Sequence, residues 1–371
     1  MAKSTHSSPS TIKDASQAGG TAQNSKQAHT ALYRKYRPAM WTEVIGQDHI
    51  VQSLEAEVAK VSGGARPHHA YLFAGTRGTG KTTIARIFAA EIGTAPEDIY
   101  EIDAASNTSV EDIRVLTEGV HALPLISPYK VYILDEVHML SKSAFNAFLK
   151  TLEEPPKHVI FILATTELHK IPETIISRCQ VFHFNTPAHE TLAEVIMSVA
   201  KKEGVQLSAG AAQLVATMAR GSFRDALSSL QGVVARALSG GVQGGPDSSV
   251  TLETEEVEAY LSVPPQVLVK EFVDIVTGET AVEAGLKSGF AVLAKVHTAH
   301  HNVPMFAEQV MSELRSVLVG PSGIGQGGIG KEAGKAARML GIMLELVPSI
   351  GKTYIGVLPI ELALVRFFEV K

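Results

Sequence analysis

The 371-residue sequence predicts an α/β fold: a five-stranded parallel sheet carrying a nucleotide site, then a small three-helix unit, then a helical C-terminal region. Three observations predict it. Five short apolar runs alternate with helical patterns between residues 31 and 185, as strands buried on both faces of a parallel sheet do. A glycine-rich loop with phosphate-binding spacing joins the first run to a helix. Beyond residue 185 the apolar period becomes 3.6, the helical repeat.

The elements follow in order. Residues 1–30 contain no Leu, Val, Phe, Tyr or Trp. Such a segment buries too little apolar surface to offset its ordering entropy, so a disordered tail is expected. The five runs are Ala70–Ala74, Ile99–Asp103, Val131–Asp135, Val159–Thr165 and Val181–Phe184. Thr186 and Pro187 then read as an N-cap and first helical residue. Ser208 caps a second helix ending near Gly221, and Ser222 with Asp225 forms a capping-box-like pair for a third. Ser239–Ser249 has the glycine-rich composition of a linker. From Thr251 onward the pattern is mostly helical, interrupted by glycines between Gly320 and Gly330. The expected domains are therefore 1–30 tail, 31–185 nucleotide-binding, 186–240 small three-helix domain, 241–250 linker and 251–371 helical domain.

Composition excludes several classes. Lys and Arg number 33 against 38 Asp and Glu, a formal charge of −5. Bulk charge therefore cannot drive nucleic-acid binding, although a local basic surface can. The single cysteine, Cys179, rules out an internal disulfide framework and any multi-cysteine zinc site, and fits a reducing compartment. No run of about 18 apolar residues is present, so no transmembrane helix is expected. The N-terminal 30 residues lack an apolar core and arginine, so neither a secretory signal nor a transit peptide is expected. A cytoplasmic location and no membrane partner follow as expectations.

The strongest chemical signal is Gly75, Thr76, Arg77, Gly78, Thr79, Gly80, Lys81 and Thr82, which fits G-x-x-x-x-G-K-S/T. It follows the run Ala70–Ala74 and precedes a helical pattern, the context the motif requires. Its glycines let backbone N–H groups close around phosphates, and the helix N-terminus adds positive potential. Lys81 would reach the β- and γ-phosphates of ATP, and the Thr82 hydroxyl would bind Mg²⁺. Gly325–Lys331 repeats the glycine spacing but places Glu332 where the hydroxyl belongs, and Gly351-Lys352-Thr353 lacks the upstream glycine. Both read as loops.

Val131–Glu136 is an apolar strand ending in two carboxylates. Asp135 can hold Mg²⁺ through water, and Glu136 can orient and deprotonate an attacking water. Asp135-Glu136-Val137-His138 also spells D-E-x-H, but a helicase of that type needs a second parallel sheet, and the rest of the chain reads as helical. Arg224 falls in the first turn of the third helix of the small unit, where a cation opposes the helix dipole. That placement suggests an anionic partner, either Asp225 or a nucleotide phosphate. Arg178 stands just before the last strand. His297 and His301 have i,i+4 spacing on an expected helix, with no carboxylate at matching spacing, so no metal site is read there. Cys179 reads as packed rather than reactive.

These residues together resemble the AAA+ clamp-loader ATPases, and within them the gamma/tau subunits of bacterial DNA polymerase III. The similarity is carried by Leu32–Pro38, Val44–Gln47, Gly75–Thr83, Ile102–Asn107, Leu134–Leu140, Leu149–Pro156, Leu163–Thr166, Ser177–Cys179 and Gly221–Ala226, with a weaker match at Leu358–Arg366. The resemblance implies roles, and makes residues 186–240 a helical lid and residues 251–371 a helical collar for oligomerisation. Gly75–Thr82, with Thr83 beside it, is the Walker A motif, and Asp135 and Glu136 are Walker B. Thr166, with Thr165 beside it, is sensor 1. Arg178 is the arginine finger acting on a neighbouring subunit's ATP, and Arg224 is sensor 2 acting within its own subunit. Val44 and Ile45 border the adenine pocket.

The implied cofactors are ATP and Mg²⁺. The implied partners are other clamp-loader subunits in a five-membered ring, a sliding clamp and primer-template DNA. The sequence departs from the family at Ile92–Ile99, which stands where four zinc-ligating cysteines are usual, so zinc is not carried over. The long form's polymerase- and helicase-contacting region has no counterpart among these 371 residues, so its tethering role is not carried over as an expectation. No polymerase active site is read: the only paired carboxylates in suitable context belong to the ATPase. Asn107, Thr108 and Ser109 precede a helix whose N-terminus could hold a DNA phosphate. Two other readings stay open: an archaeal-type replication factor small subunit, and a non-hydrolysing scaffold subunit of a clamp-loader ring.

Overall fold

A computed structural model of the chain describes residues 30–239, 250–320, 324–325, 328–350 and 352–369. The expected tail and linker lie, but for Thr30 and Val250, outside the described residues.

The sheet has strands β1 (Ala70–Ala74), β2 (Ile99–Asp103), β3 (Lys130–Asp135), β4 (Val159–Thr165) and β5 (Gln180–His183), in the spatial order β2-β3-β4-β1-β5. Every pairing is parallel. The first, second and fourth apolar runs coincide with strands to the residue, and the other two are within one residue. The central strands β1 and β4 are buried throughout, whereas edge strands β2 and β5 are partly exposed. An edge strand is covered less, which is why those two strands carry Glu101 and Gln180.

Both faces of the sheet are covered. On one face α2 (Asp48–Ser62) and α3 (Lys81–Glu91) pack Ile50, Leu54, Ile84 and Phe88 against Tyr71, Phe73 and Ile162. On the other, α4 (Val110–Val120) and α5 (Lys142–Glu153) pack Ile113, Phe145 and Phe148 against Leu72, Leu134 and Phe161. Each fully buried Leu, Ile or Phe contributes about 1.5–3 kcal/mol relative to exposure. Register then aligns the strand ends: Ala74 pairs with Thr165, and Asp103 with Asp135. The chain leaves β1 for the far edge of the sheet and returns inward, so the carboxyl ends around β1 form the crevice where open α/β sheets bind ligands.

Three helices follow: α7 (His189–Lys202), α8 (Ala209–Met218) and α9 (Phe223–Ser239), α6 being the short turn Glu173–Ile176. Ser208 caps α8 by accepting from Ala211 N–H, and Ser222 accepts from Asp225 N–H at 3.2 Å. Helix α7 starts later than its sequence signal. Its N-cap is Ala188, and the Thr186 hydroxyl lies 3.3 Å from that of Thr76 in the phosphate loop.

The lid core extends beyond the expected boundaries. Strands β6 (Val205–Leu207) and β7 (Val250–Leu252) pair in parallel, and Leu252 and Val257, the latter on α10 (Thr254–Leu261), join the cluster of Leu192, Ile196 and Leu230. Linker composition marks where the chain is free of a core, not which core the next strand joins. Leu32, on the first helix α1 (Leu32–Lys35), also packs in this cluster. The Leu32 N–H donates to Gln231 Oε1 at 3.0 Å, and Lys35 and Tyr36 both donate to Glu203. The segment before the sheet thus straps onto the lid.

The remaining helices are α11 (Gln266–Thr277), α12 (Val282–Thr298), α13 (Val303–Val319), α14 (Lys331–Leu346) and α15 (Leu358–Glu369). They share a core of Phe272, Leu293, Phe306, Met339 and Leu364. The supposed histidine pair does not form a helical i,i+4 pair. Helix α12 ends at Thr298, His300 turns left-handed at φ 54°, and His301 lies past the turn. Helix α4 carries a capping box in which Asp112 accepts from Ser109 N–H. The Ser109 and Asp112 N–H groups at this helix end are thus taken by side chains.

Candidate functional site

The phosphate loop after β1 and the carboxyl end of β3 line a cavity of about 640 Å³ between sheet and lid. The phosphate loop runs from Gly75 to Gly80 and becomes α3 at Lys81. Two glycines shape it. Gly80 caps α3 at φ 100°, a left-handed conformation that costs an L-residue about 1–2 kcal/mol. Gly78, at φ 77°, meets the lid: a Cβ there would lie 2.0 Å from the Ser222 hydroxyl. The Gly78 carbonyl accepts from Phe223 N–H at 3.0 Å. This hydrogen bond docks the start of α9 on the phosphate loop and brings Arg224 to the cavity.

Lys81 is buried and donates to the carbonyls of Gly75 at 2.8 Å and Thr76 at 2.9 Å. Burial lowers its pKa, and the nearby Glu136 and Asp135 carboxylates oppose that shift. The Thr82 hydroxyl donates to Asp135 Oδ2 at 2.7 Å, and Asp135 Oδ1 accepts from Glu136 N–H. Two oxygen ligands side by side at the phosphate loop suit a hard, oxygen-seeking cation such as Mg²⁺. Thr79 is buried with its hydroxyl on the Thr76 carbonyl. Arg77, Thr83, Val44 and Ile45 also line the cavity.

Glu136 adopts φ 49° and ψ 43° at the end of β3. Its Oε2 accepts from the Thr166 hydroxyl at 3.1 Å. Thr165 is fully buried, and its hydroxyl is within 3.2 Å of His138 Nδ1. The guanidinium of Arg224 lies 4.9 Å from the Tyr33 ring centroid. Arg178 is elsewhere: it donates to Glu153 Oε1 at 2.6 Å and to the Thr174 carbonyl, and it does not line the cavity. Lys81, Thr82, Asp135, Glu136 and Arg224 therefore converge, while Arg178 lies outside the cavity.

Two residues near this site carry no role in the sequence reading. Arg37 lines the cavity half-buried, and its pKa is lowered first by burial and then by the Arg86 charge. The run of basic residues around it, Arg34 to Arg37, was the available signal. His138 stands beside Glu136, and its only signal was the D-E-x-H spelling.

The fold is an α/β fold of the AAA+ type. The structure of a Thermotoga maritima RuvB point variant matches with a TM-score of 0.52 at 22% identity, covering 71% of this chain and 88% of that one. A second T. maritima RuvB structure, a Holliday junction branch migration motor, matches with a TM-score of 0.51 over 68% and 85%. In sequence the chain is similar to tau and gamma subunits of bacterial DNA polymerase III. It is 45% identical over 224 residues to the Bacillus subtilis tau subunit, covering 55% of this chain and 39% of that one. Identity to the Escherichia coli K12 tau subunit is 43%, covering 54% and 34%. Identity to a Buchnera aphidicola gamma subunit is 42%, covering 54% and 60%. A family model described as DNA polymerase III, delta subunit, matches residues 93–188. The chain thus spans between about a third and three fifths of the length of these relatives. Among the described residues, no helix is long and apolar enough to cross a membrane.

Proposed function

We propose that this chain is an ATP-hydrolysing subunit of a clamp loader, which places a sliding clamp on primed DNA during replication. The reading is carried by one observation: Lys81, Thr82, Asp135 and Glu136 meet at one cavity, and the lid brings Arg224 to its rim. A non-hydrolysing scaffold would have no use for an intact base beside an intact phosphate loop.

In the proposed mechanism the adenine lies against Val44 and Ile45, and the triphosphate threads the loop. Lys81 leaves the carbonyls of Gly75 and Thr76 for the β- and γ-phosphates. Mg²⁺, held through Thr82 and Asp135, would neutralise phosphate charge when bound. Glu136 orients a water toward the γ-phosphate and takes its proton, while the Thr166 hydroxyl fixes the carboxylate. Arg224 exchanges the Tyr33 ring for the γ-phosphate, so lid position reports on nucleotide state. Arg178 serves a neighbouring subunit's ATP, as its place outside its own cavity supports. ATP, Mg²⁺, partner subunits, clamp and primer-template DNA all belong to this proposal.

Binding and hydrolysis separate in the test. Lys81→Ala is expected to weaken binding of a fluorescent ATP analogue by at least about tenfold, because lysine stabilises the bound ground state. Glu136→Gln is expected to bind normally and hydrolyse at least about 10²-fold more slowly. Equal loss of binding in both variants contradicts the assignment. Stimulation of the wild-type ATPase by primed DNA with clamp, measured in the assembled complex, tests the loading role.

A further inference from the structure

His138 occupies the centre of a polar cluster around Glu136, and the proposed ATPase mechanism gives the ring no role. Its side chain is 7% exposed and stands between two carboxylates. Nδ1 lies 3.4 Å from Glu136 Oε2 and 3.2 Å from the Thr165 hydroxyl. Nε2 lies 3.4 Å from Glu167 Oε1. Glu167 in turn pairs with Lys170 at 2.8 Å and lies 3.6 Å from His169 Nε2. A continuous polar path therefore runs from the base, through one buried ring, to charged groups at the surface.

Backbone geometry places the ring there. Glu136 turns left-handed at φ 49°, and Val137–Met139 follows as a 3₁₀ turn. That reversal folds His138 back beside the residue two before it. Val137 is fully buried and anchors the turn in the core. A non-glycine residue held left-handed persists only where its surroundings over-determine it, and such residues cluster at functional sites. Glu136 has few firm contacts of its own: Thr166 on one oxygen, and the His138 ring beside that same oxygen.

We propose that His138 is the positioning residue for Glu136, fixing its carboxylate toward the γ-phosphate and coupling it to the Glu167–Lys170 turn after β4. The inference rests on the reading of Glu136 as the base. The ring touches neither substrate nor reacting atoms; it exchanges no proton with the water, whose proton goes to Glu136. A shift of the 167–170 turn, caused by whatever packs on its exposed side, would reach the base through this ring.

The test uses the full chain with His138→Ala, His138→Asn and Glu167→Gln, measuring fluorescent ATP-analogue binding and single-turnover hydrolysis of radiolabelled ATP. His138→Ala is expected to slow hydrolysis by about 10–100-fold, as loss of an outer-shell orienting partner does, with affinity changed less than about twofold. Asparagine puts an amide N–H where Nδ1 stood, so His138→Asn should recover a large part of the rate. Glu167→Gln should slow hydrolysis less than His138→Ala and leave affinity unchanged. Wild-type-like hydrolysis in His138→Ala overturns the proposal. So does parallel loss of affinity and rate with no recovery in His138→Asn, which marks a merely structural role. Glu136→Gln in the same assay separates the two readings. If it is inactive while His138→Ala is normal, only the positioning role fails; if it hydrolyses normally, the base assignment fails and this inference with it.

Discussion

Cys179 shows how surroundings decide what a residue does. It follows Arg178, a residue proposed to reach another subunit, yet it packs against the core cluster that includes Phe148 and Phe161. Burial raises its pKa to about 12. Only the thiolate attacks electrophiles, so at pH 8 the folded chain should react with iodoacetamide far more slowly than the unfolded chain. Mass spectrometry of timed samples checks this, and equal rates would contradict the packing. Asp98 is a second case. Burial would raise its pKa, but N–H donors from Leu125, Ile126 and Ser127 outweigh that and hold it at about 2. A depressed carboxylate stabilises the fold above its unfolded value, here 3.8, and loses that contribution as pH falls through about 2. Asp98→Asn should therefore lower Tm at pH 7, and the gap from wild type should narrow as pH falls toward 2. A gap independent of pH would mean that the charge contributes nothing.

At the scale of elements, the junction of phosphate loop and lid is the sensitive point. Gly78 is both left-handed and in contact with Ser222. Gly78→Ala should cost about 1–2 kcal/mol for the backbone and about 1–3 kcal/mol for overlap. It should also push the start of α9, with Arg224, away from the cavity. Weaker nucleotide binding together with a lower Tm is expected. Adding Ser222→Gly removes the overlap but not the backbone strain, so it should restore part of the loss. No recovery in the double variant, measured by calorimetric titration, would place the defect in the loop alone. The glycine spacing was legible in the sequence because phosphate-binding loops need it. The contact with Ser222 was not, because the two residues are far apart in the chain and only the packing of α9 joins them. The same holds for α7, whose Thr186 signal pointed to a cap, whereas its hydroxyl lies against the phosphate loop instead.

At the scale of the whole molecule, Arg178 sits outside its own cavity and is held by Glu153. If it completes a neighbour's site, Arg178→Ala should bind ATP but hydrolyse it about 10³–10⁵-fold more slowly. Mixing supplies the test. A Lys81→Ala subunit has a damaged site and an intact arginine, and an Arg178→Ala subunit has the reverse. Assemblies containing both should regain activity that neither variant shows alone. If mixed assemblies form and no activity returns, Arg178 acts within its own subunit.

The strands, the phosphate loop and the two carboxylates at the end of β3 were all legible before any fold was known. These features are local: continuous apolar runs, glycines at fixed spacing and a strand-to-turn transition are written in consecutive residues. How they meet was settled by packing. Parallel register sets Ala74 beside Thr165 and so aligns the strand ends. The Gly78 to Phe223 hydrogen bond brings Arg224 across a gap of more than a hundred residues. The pairing of β6 with β7 assigns residues after the glycine-rich stretch to the lid, although their composition is silent on it. His138 was visible as a letter in a four-residue pattern, but its two carboxylate neighbours lie on different loops. Propensity and periodicity act over a few residues, whereas a site depends on distances between segments, and those are fixed only when the core closes.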